Sequence, residues 1–297
     1  MDYHSDRFLD HSLLFLDDNG NLLALMPANF KNSTLQSHGG LTFGGIVSDH
    51  RMRAQTMLET FAALMDHLSS EGIHRLIYKP PPHIYHTTPS EEDLYALFRY
   101  NARLLRREVS SAILQEMKTP FTKERRWSVR KAKNNGVTVA RSADFDSFMT
   151  IEEQALVARH GVKPVHTKGE MRLLAERFPD QIKLFAAERK NEMLGGVIIY
   201  ESRNVAHCQY IAVTEEGRKI GAVDMVLDYL INSQYASKRY FDFGISTEDE
   251  GRYLNTGLSD FKSSYGARAV VYDTYEITLD EKGQGAAQDR NSQAEDS

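Results

Sequence analysis

Two short runs hold the side chains best suited to chemistry. The first is VAHCQYIAV (205–213), followed directly by TEEGRKIGA (214–222). Strand alternation over the first run predicts His207, Gln209 and Ile211 on one face, with Cys208 and Tyr210 on the other. An imidazole titrates near neutral pH, so His207 is a candidate general base; its alternative is a hydrogen-bonded core histidine. Cys208 reads as a small buried hydrophobe rather than a nucleophile. The second run is YFDFGIS (240–246), where Asp242 stands between Phe241 and Phe243. A carboxylate there is costly unless paired or facing solvent, so it is expected to line a site or hold the following loop.

TEEGRKIGA reads as a turn from strand into helix, a place where unpaired backbone N–H groups face an anion. Gly217, Gly221 and Ala222 would allow close backbone approach, and Arg218 and Lys219 add positive charge. The pyrophosphate of coenzyme A suits such a turn; an ordinary helix start is the alternative.

Elsewhere, PPPHIYHTTPSEEDLY places His83, Tyr85 and His86 on a proline-stiffened loop. The two histidines lack nearby carboxylates in a ligand pattern, so no metal is expected, and recognition of an acceptor is weighed against a plain surface turn. His38, beside Gly39-Gly40, is a similar candidate. Residues 118–133 carry seven bases and one acid. This basic helix is a solvated face, a phosphate-binding surface or a transfer-RNA contact, and Trp127, the sole tryptophan, is expected to pack as its apolar anchor.

These residues need elements to position them. SLLFL–DDNGN–LLALM reads as a hairpin around Asn19-Gly20. Met57, Phe61, Leu64, Met65 and Leu68 recur at helical spacing and Gly72 ends the run. Strands follow at IHRLIYKP and REVSSAILQE, with a helix between them whose N-cap would be Ser90. GVTVARS is a strand, FDSFMTIEEQALVARHG and GEMRLLAERFP are helices, and residues 182–213 make three strands. One helix is expected from EEGRKIG through YASK, then a strand at RYFDFGIS, a short helix and a turn over YLNTGLSDFKSSYGA, and a last strand at RAVVYDTYEITL. Strand, glycine-bearing turn, long helix and short strand occur twice: LTFGGIV…HRLIYK echoes QYIAV…KRYFDFG.

The chain has 297 residues, 41% hydrophobic and 26% charged, with net charge −5 and one cysteine. That balance suits one or two globular domains and excludes an intrachain disulfide or a cysteine metal cluster. No apolar run is long enough to span a membrane, and the N-terminus lacks a signal-peptide core. The expected location is the cytoplasm, with the inner membrane face open as a place of action. Residues 280–297 read as a disordered tail.

The run from Asn191 to Gly266 resembles the GCN5-related (GNAT) acyltransferases, in particular the branch of Fem-type aminoacyltransferases and BioF2-like acetyltransferases. Arg218-Lys219-Ile220-Gly221-Ala222-Val223 is similar to the family's Q/R-x-x-G-x-G/A turn, with Val223 departing at the third anchor. YFDFGIS…NTGLSDFKSSYGA resembles the Fem-like ending, and WSVRKAKNNGVTV the start of the family's second half. The resemblance implies an α/β fold of two tandem GNAT-like units, each a mixed, mostly antiparallel sheet flanked by helices. The halves would be 1–120, lacking the first strand and helix of relatives, and 121–279, with an acceptor site in the cleft between them. It implies acyl-CoA, chiefly acetyl-CoA, held by Ile211, Val213, Gly217, Arg218, Lys219, Gly221 and Ala222. Tyr253 would protonate the leaving thiolate beside His207 and Asp242, and Gln209, Asn255 and Lys262 would meet the acceptor with His83, Tyr85 and His86. Lys262 has a structural ion pair as its alternative role. The implied reaction moves an acyl group to an amine or hydroxyl of a small-molecule or lipid-linked sugar or cell-envelope precursor. The rivals are aminoacyl-tRNA-dependent transfer to a peptidoglycan-type precursor and a degenerate binding protein. No heptad-patterned helical hairpin of the kind bridge enzymes insert is found, which favours the first.

Overall fold

The computed structural model describes residues 3 and 6–279; the expected tail at 280–297 lies outside them. The chain divides into two compact units. The first takes the chain up to Glu108, adds Asp249–Arg252, and regains it from Val271. The second holds Val109–Glu248 and Tyr253–Val270. This differs from contiguous halves meeting at residue 120. The cause is the final strand, which pairs with a strand of the first unit.

The first unit begins with β1 (Leu9–Asp10), β2 (Leu13–Leu16), β3 (Leu22–Met26), β4 (Asn29–Lys31), β5 (Thr34–Gln36) and β6 (Val47–Ser48). Then come α1 (Ala54–Ser70), β7 (Arg75–Tyr78) and α2 (Glu92–Arg99). The β2–β3 hairpin forms as expected, with Gly20 at φ 81. All five helically spaced residues of α1 are buried, each such side chain stabilising by about 1.5–3 kcal/mol. Ser90 does not cap α2: the cap position is Glu91 and no side chain closes it. The echo is also displaced. Residues 41–46 form no strand, and β6 joins β3 in a small separate sheet. The parallel neighbour of β7 is β5, with Gln36 opposite Ile77 at the end of the pairing.

The second unit contains the latter half of β8 (Arg103–Leu114), α3 (Lys123–Asn134), β9 (Thr138–Ser142), α4 (Phe145–His160) and α5 (Lys168–Arg177). β10 (Ile182–Arg189), β11 (Glu192–Glu201) and β12 (Val205–Val213) follow, then α6 (Glu215–Ile220), α7 (Ala222–Tyr229) and β13 (Tyr240–Ile245). A hairpin of β14 (Thr247–Glu248) and β15 (Tyr253–Leu254) precedes α8 (Thr256–Ser263) and β16 (Arg268–Thr278), whose end pairs with β7. Helix starts are fixed locally: Thr122 caps α3, Asp144 caps α4, and Thr167 with Glu170 forms a capping box on α5. Gly161, at φ 65, ends α4.

The strands of this unit run in the order β8-β13-β12-β11-β10-β9. All neighbours are antiparallel except β12 and β13. The core lies between this sheet and α7, where Val226, Leu227, Leu230 and Ile231 meet Phe185, Val197, Ile199 and Phe241. The single helix expected over 215–238 is broken. Gly221 adopts φ 84 between α6 and α7, and the chain leaves α7 through π-type turns at Leu230–Gln234. The mixed, mostly antiparallel sheets flanked by helices are those of a tandem α/β arrangement.

Candidate active site

β12 and β13 place the central pair. Their parallel register sets Val205, Ala206 and His207 opposite Tyr240, Phe241 and Asp242, and the pairing stops there. His207 Nδ1 lies 2.7 Å from Asp242 Oδ2. Asp242 is fully buried, whereas the His207 side chain keeps 17% of its surface exposed. The other carboxylate oxygen, Oδ1, accepts from Ser110 Oγ at 2.7 Å and from the Gly244 backbone N–H at 3.2 Å. A buried carboxylate with three donors is well compensated.

Irregularities interrupt both strands beside this pair. The register of β12 on β11 slips where Ile198 faces Tyr210 and Ile199 faces Cys208, leaving Gln209 as the extra residue. That bulge overturns the expected alternation. Ala206, Cys208, Ile211 and Val213 all pack towards the α7 core, while Tyr210 bonds His166 through its hydroxyl at 2.7 Å. Ile211 therefore shares a face with Cys208, not with His207. Cys208 is buried, and that burial pushes its thiol well up, away from nucleophilic use. On β13 the register on β8 slips between Asp242 and Ile245, and Gly244 sits at φ 76 with an added Cβ 3.2 Å from His207 Cε1.

Lys262, 3% exposed on α8, makes no ion pair among the described residues: its Nζ donates to the carbonyls of Gly244 (2.8 Å) and Ile245 (2.5 Å). Burial pushes its ammonium down to about 8, against the pull of Asp242. It ties the bulged loop of β13 beside the dyad. Asn255 is an N-cap, its Oδ1 accepting from Leu258 N–H and its Nδ2 donating to Glu248. Tyr253 is 58% exposed on β15, with no hydrogen bond to the dyad among the described residues.

The turn after β12 differs from an open anion cradle. Thr214 caps α6 by accepting from Gly217 N–H. A Cβ on Gly217 would stand 2.3 Å from the Leu194 carbonyl oxygen, and one on Gly221 would stand 2.6 Å from that of Ser128. Ala222 is fully buried. These small residues let protein segments approach each other, and Glu215 and Glu216 occupy the first turn of α6. Arg218 and Lys219 instead border a cavity of about 630 Å³ with Val213, Thr214 and α4 residues Ile151, Gln154 and Ala155.

His83, Tyr85 and His86 belong to the first unit. His83 is exposed, Tyr85 packs against Phe43 with ring centroids 4.5 Å apart, and Tyr85 and His86 border a cavity of about 410 Å³. His38 is buried and its Nδ1 accepts from Gly40 N–H. No cluster of three potential metal ligands occurs among the described residues. Ser110 was not singled out from the sequence; two adjacent serines inside the apolar strand VSSAIL were its only trace.

None of the curated proteins matches the sequence. Among solved structures, FemX aligns with TM-score 0.66 at 12% identity, covering 94% of this chain and 90% of that one. The C-terminal domain of a putative lysylphosphatidylglycerol synthetase from Agrobacterium fabrum aligns with TM-score 0.60 at 10% identity, covering 90% and 84%. L-PGS from Bacillus licheniformis aligns with TM-score 0.60 at 12% identity, covering 89% and 83%. At such identities the likeness is one of fold. Residues 121–262, which hold His207, Asp242 and Lys262, match the family described as an acetyltransferase (GNAT) domain. Residues 121–262 thus resemble a GNAT acetyltransferase domain, within a chain whose fold is similar to that of FemX.

Proposed function

We propose that this protein transfers an acyl group from an acyl-CoA thioester, with acetyl-CoA the first donor to test, to an amine or hydroxyl of a sugar or cell-envelope precursor in the cytoplasm. The observation that carries the chemistry is the His207–Asp242 pair. With Nδ1 engaged by the carboxylate, Nε2 is the ring atom that removes the acceptor's proton. The acceptor nitrogen or oxygen bonds to the acyl carbon, the carbon–sulfur bond breaks, and the proton passes through His207 to the thiolate. Asp242 offsets the charge of the transient imidazolium and fixes the ring. The first unit supports an assignment to the second unit alone, since the last residues of its own parallel pair are Gln36 and Ile77.

The cavity bordered by Arg218 and Lys219 supports an anionic donor such as coenzyme A. One observation favours a second reading, aminoacyl-tRNA as donor: the small residues of the turn are engaged in packing, which leaves fewer backbone groups for a pyrophosphate. Thermal shift with acetyl-CoA, longer acyl-CoAs and charged tRNA separates the two. A rise in Tm with an acyl-CoA, and thiol release on adding an amino sugar, is the expected result. A shift with charged tRNA alone moves the donor to the second reading, and no shift with either sinks the transferase.

A further inference from the structure

The expected role of Trp127 fails in an informative way. It is 56% exposed, not an anchor. The inner side of α3 is held by other residues: Ala132 is fully buried, and Arg125 donates to Asp224 at 3.0 Å and to Ser264, with its guanidinium over Phe261 and Tyr265. Gly221 allows the backbone at Ser128 to press close. The helix is thereby fixed, and its outer side is fixed too.

That outer side is basic and unpaired. Lys123, Arg126, Trp127, Arg130 and Lys133 are exposed, and helical spacing puts Lys123, Arg126, Trp127 and Arg130 on one stripe. Lys131 lies over the Trp127 ring at 5.0 Å. The sole ion pair from α3 among the described residues is Arg125–Asp224, on the inner side. Several exposed arginines elsewhere do have acids, as in Arg51–Asp49, Arg107–Asp273 and Arg172–Asp146. The chain carries −5 overall while residues 118–133 carry +6. An anionic surface would repel the rest of the molecule and attract this stripe, so contact would be oriented rather than general.

We infer that the outer face of α3 docks this protein onto an anionic membrane surface. A polybasic stripe lowers its energy near acidic headgroups, and an exposed indole is suited to the headgroup layer. RNA fits less well. Single-stranded nucleic acid is held in grooves with several stacking rings, and α3 offers one exposed ring and borders neither of the cavities described above. Attachment would be peripheral, since no described helix is long and apolar enough to cross a membrane. The inference does not depend on acyl transfer; an inactive protein would bind equally.

Trp127 is the only tryptophan, so its emission reports on this face directly. The whole protein is mixed with phosphatidylcholine vesicles, with vesicles containing about a third phosphatidylglycerol, and with bulk tRNA. Expected are co-sedimentation and a blue shift with the anionic vesicles only, reversal by high salt, quenching by brominated lipid, and at least a tenfold loss of partitioning in a Lys123→Glu/Arg126→Glu/Arg130→Glu variant. Absence of partitioning at low salt, equal binding to neutral vesicles, undiminished binding of the folded variant, or a response to tRNA without one to vesicles overturns the proposal. Quenching in the unaltered protein decides the matter if that variant does not fold.

Discussion

His207 and Asp242 stand at the same level of a parallel strand pair, 2.7 Å apart, where the pairing of β12 and β13 ends. Here the bulge at Gln209 turns β12 aside one residue pair later. The dyad therefore sits where the parallel pairing stops and β12 becomes irregular. His207→Ala should leave the fold intact and lower kcat/KM for the proposed transfer about 10²- to 10⁴-fold. Asp242→Asn should do comparable damage by releasing the ring from its tautomer. Circular dichroism together with thiol-release kinetics checks both; undiminished turnover in folded His207→Ala protein removes His207 as the base.

Ser110 acts on the same carboxylate from β8. Its hydroxyl takes Asp242 Oδ1 while Oδ2 faces His207. Ser110→Ala leaves Oδ1 with the Gly244 N–H and a buried gap, at a cost of about 1–3 kcal/mol. The expected signature is a lowered denaturation midpoint together with a lower kcat at unchanged KM. A change in KM alone would mean that Ser110 meets substrate instead of orienting Asp242.

The glycines divide by what surrounds them. Gly20 has φ 81 and open space around it, so Gly20→Ala should cost about 1 kcal/mol from backbone strain. Gly221 has φ 84 and also faces the Ser128 carbonyl at 2.6 Å from an added Cβ. Gly217 has no positive φ but faces the Leu194 carbonyl at 2.3 Å. Gly221→Ala and Gly217→Ala should therefore each cost on the order of 3 kcal/mol or more, Gly221 combining strain and overpacking. Urea unfolding orders the three; equal costs would mean that strain alone matters.

Much of this was readable in local sequence, because local physics decides it. The period of Met57, Phe61, Leu64, Met65 and Leu68 fixes α1, and Asn19-Gly20 fixes the first hairpin. The need of Asp242 for a partner was plain from its phenylalanine neighbours, whereas the identity of that partner was not. His207 is 35 positions away and meets it only through a parallel register that no short window encodes. The bulge at Gln209 depends on how β11 pairs, so strict alternation misplaced Ile211. Trp127 faces outward because Ala132 and the Arg125 clamp on Asp224, rather than the largest apolar side chain, hold the inner side of α3, and no local pattern encodes that clamp.

Asp93 offers a test by pH within the first unit. It is 5% exposed, and Tyr78 donates to its Oδ2 at 2.9 Å while accepting from Ile46 N–H at 2.8 Å. Burial pushes the Asp93 carboxyl up from 3.8 to about 6. The folded state then keeps a proton that the unfolded chain has released between those values. The unfolded state binds fewer protons there, so stability must fall as pH rises through about 4 to 6, with the loss complete above 6. The loss amounts to roughly 3 kcal/mol at most. Asp93→Asn preserves an acceptor for the Tyr78 hydroxyl and removes the titration. In urea unfolding at pH 4.5 and 7, the difference between variant and wild type should grow in the variant's favour as pH rises. Parallel declines in the two proteins would show that the buried carboxyl is not the group responsible.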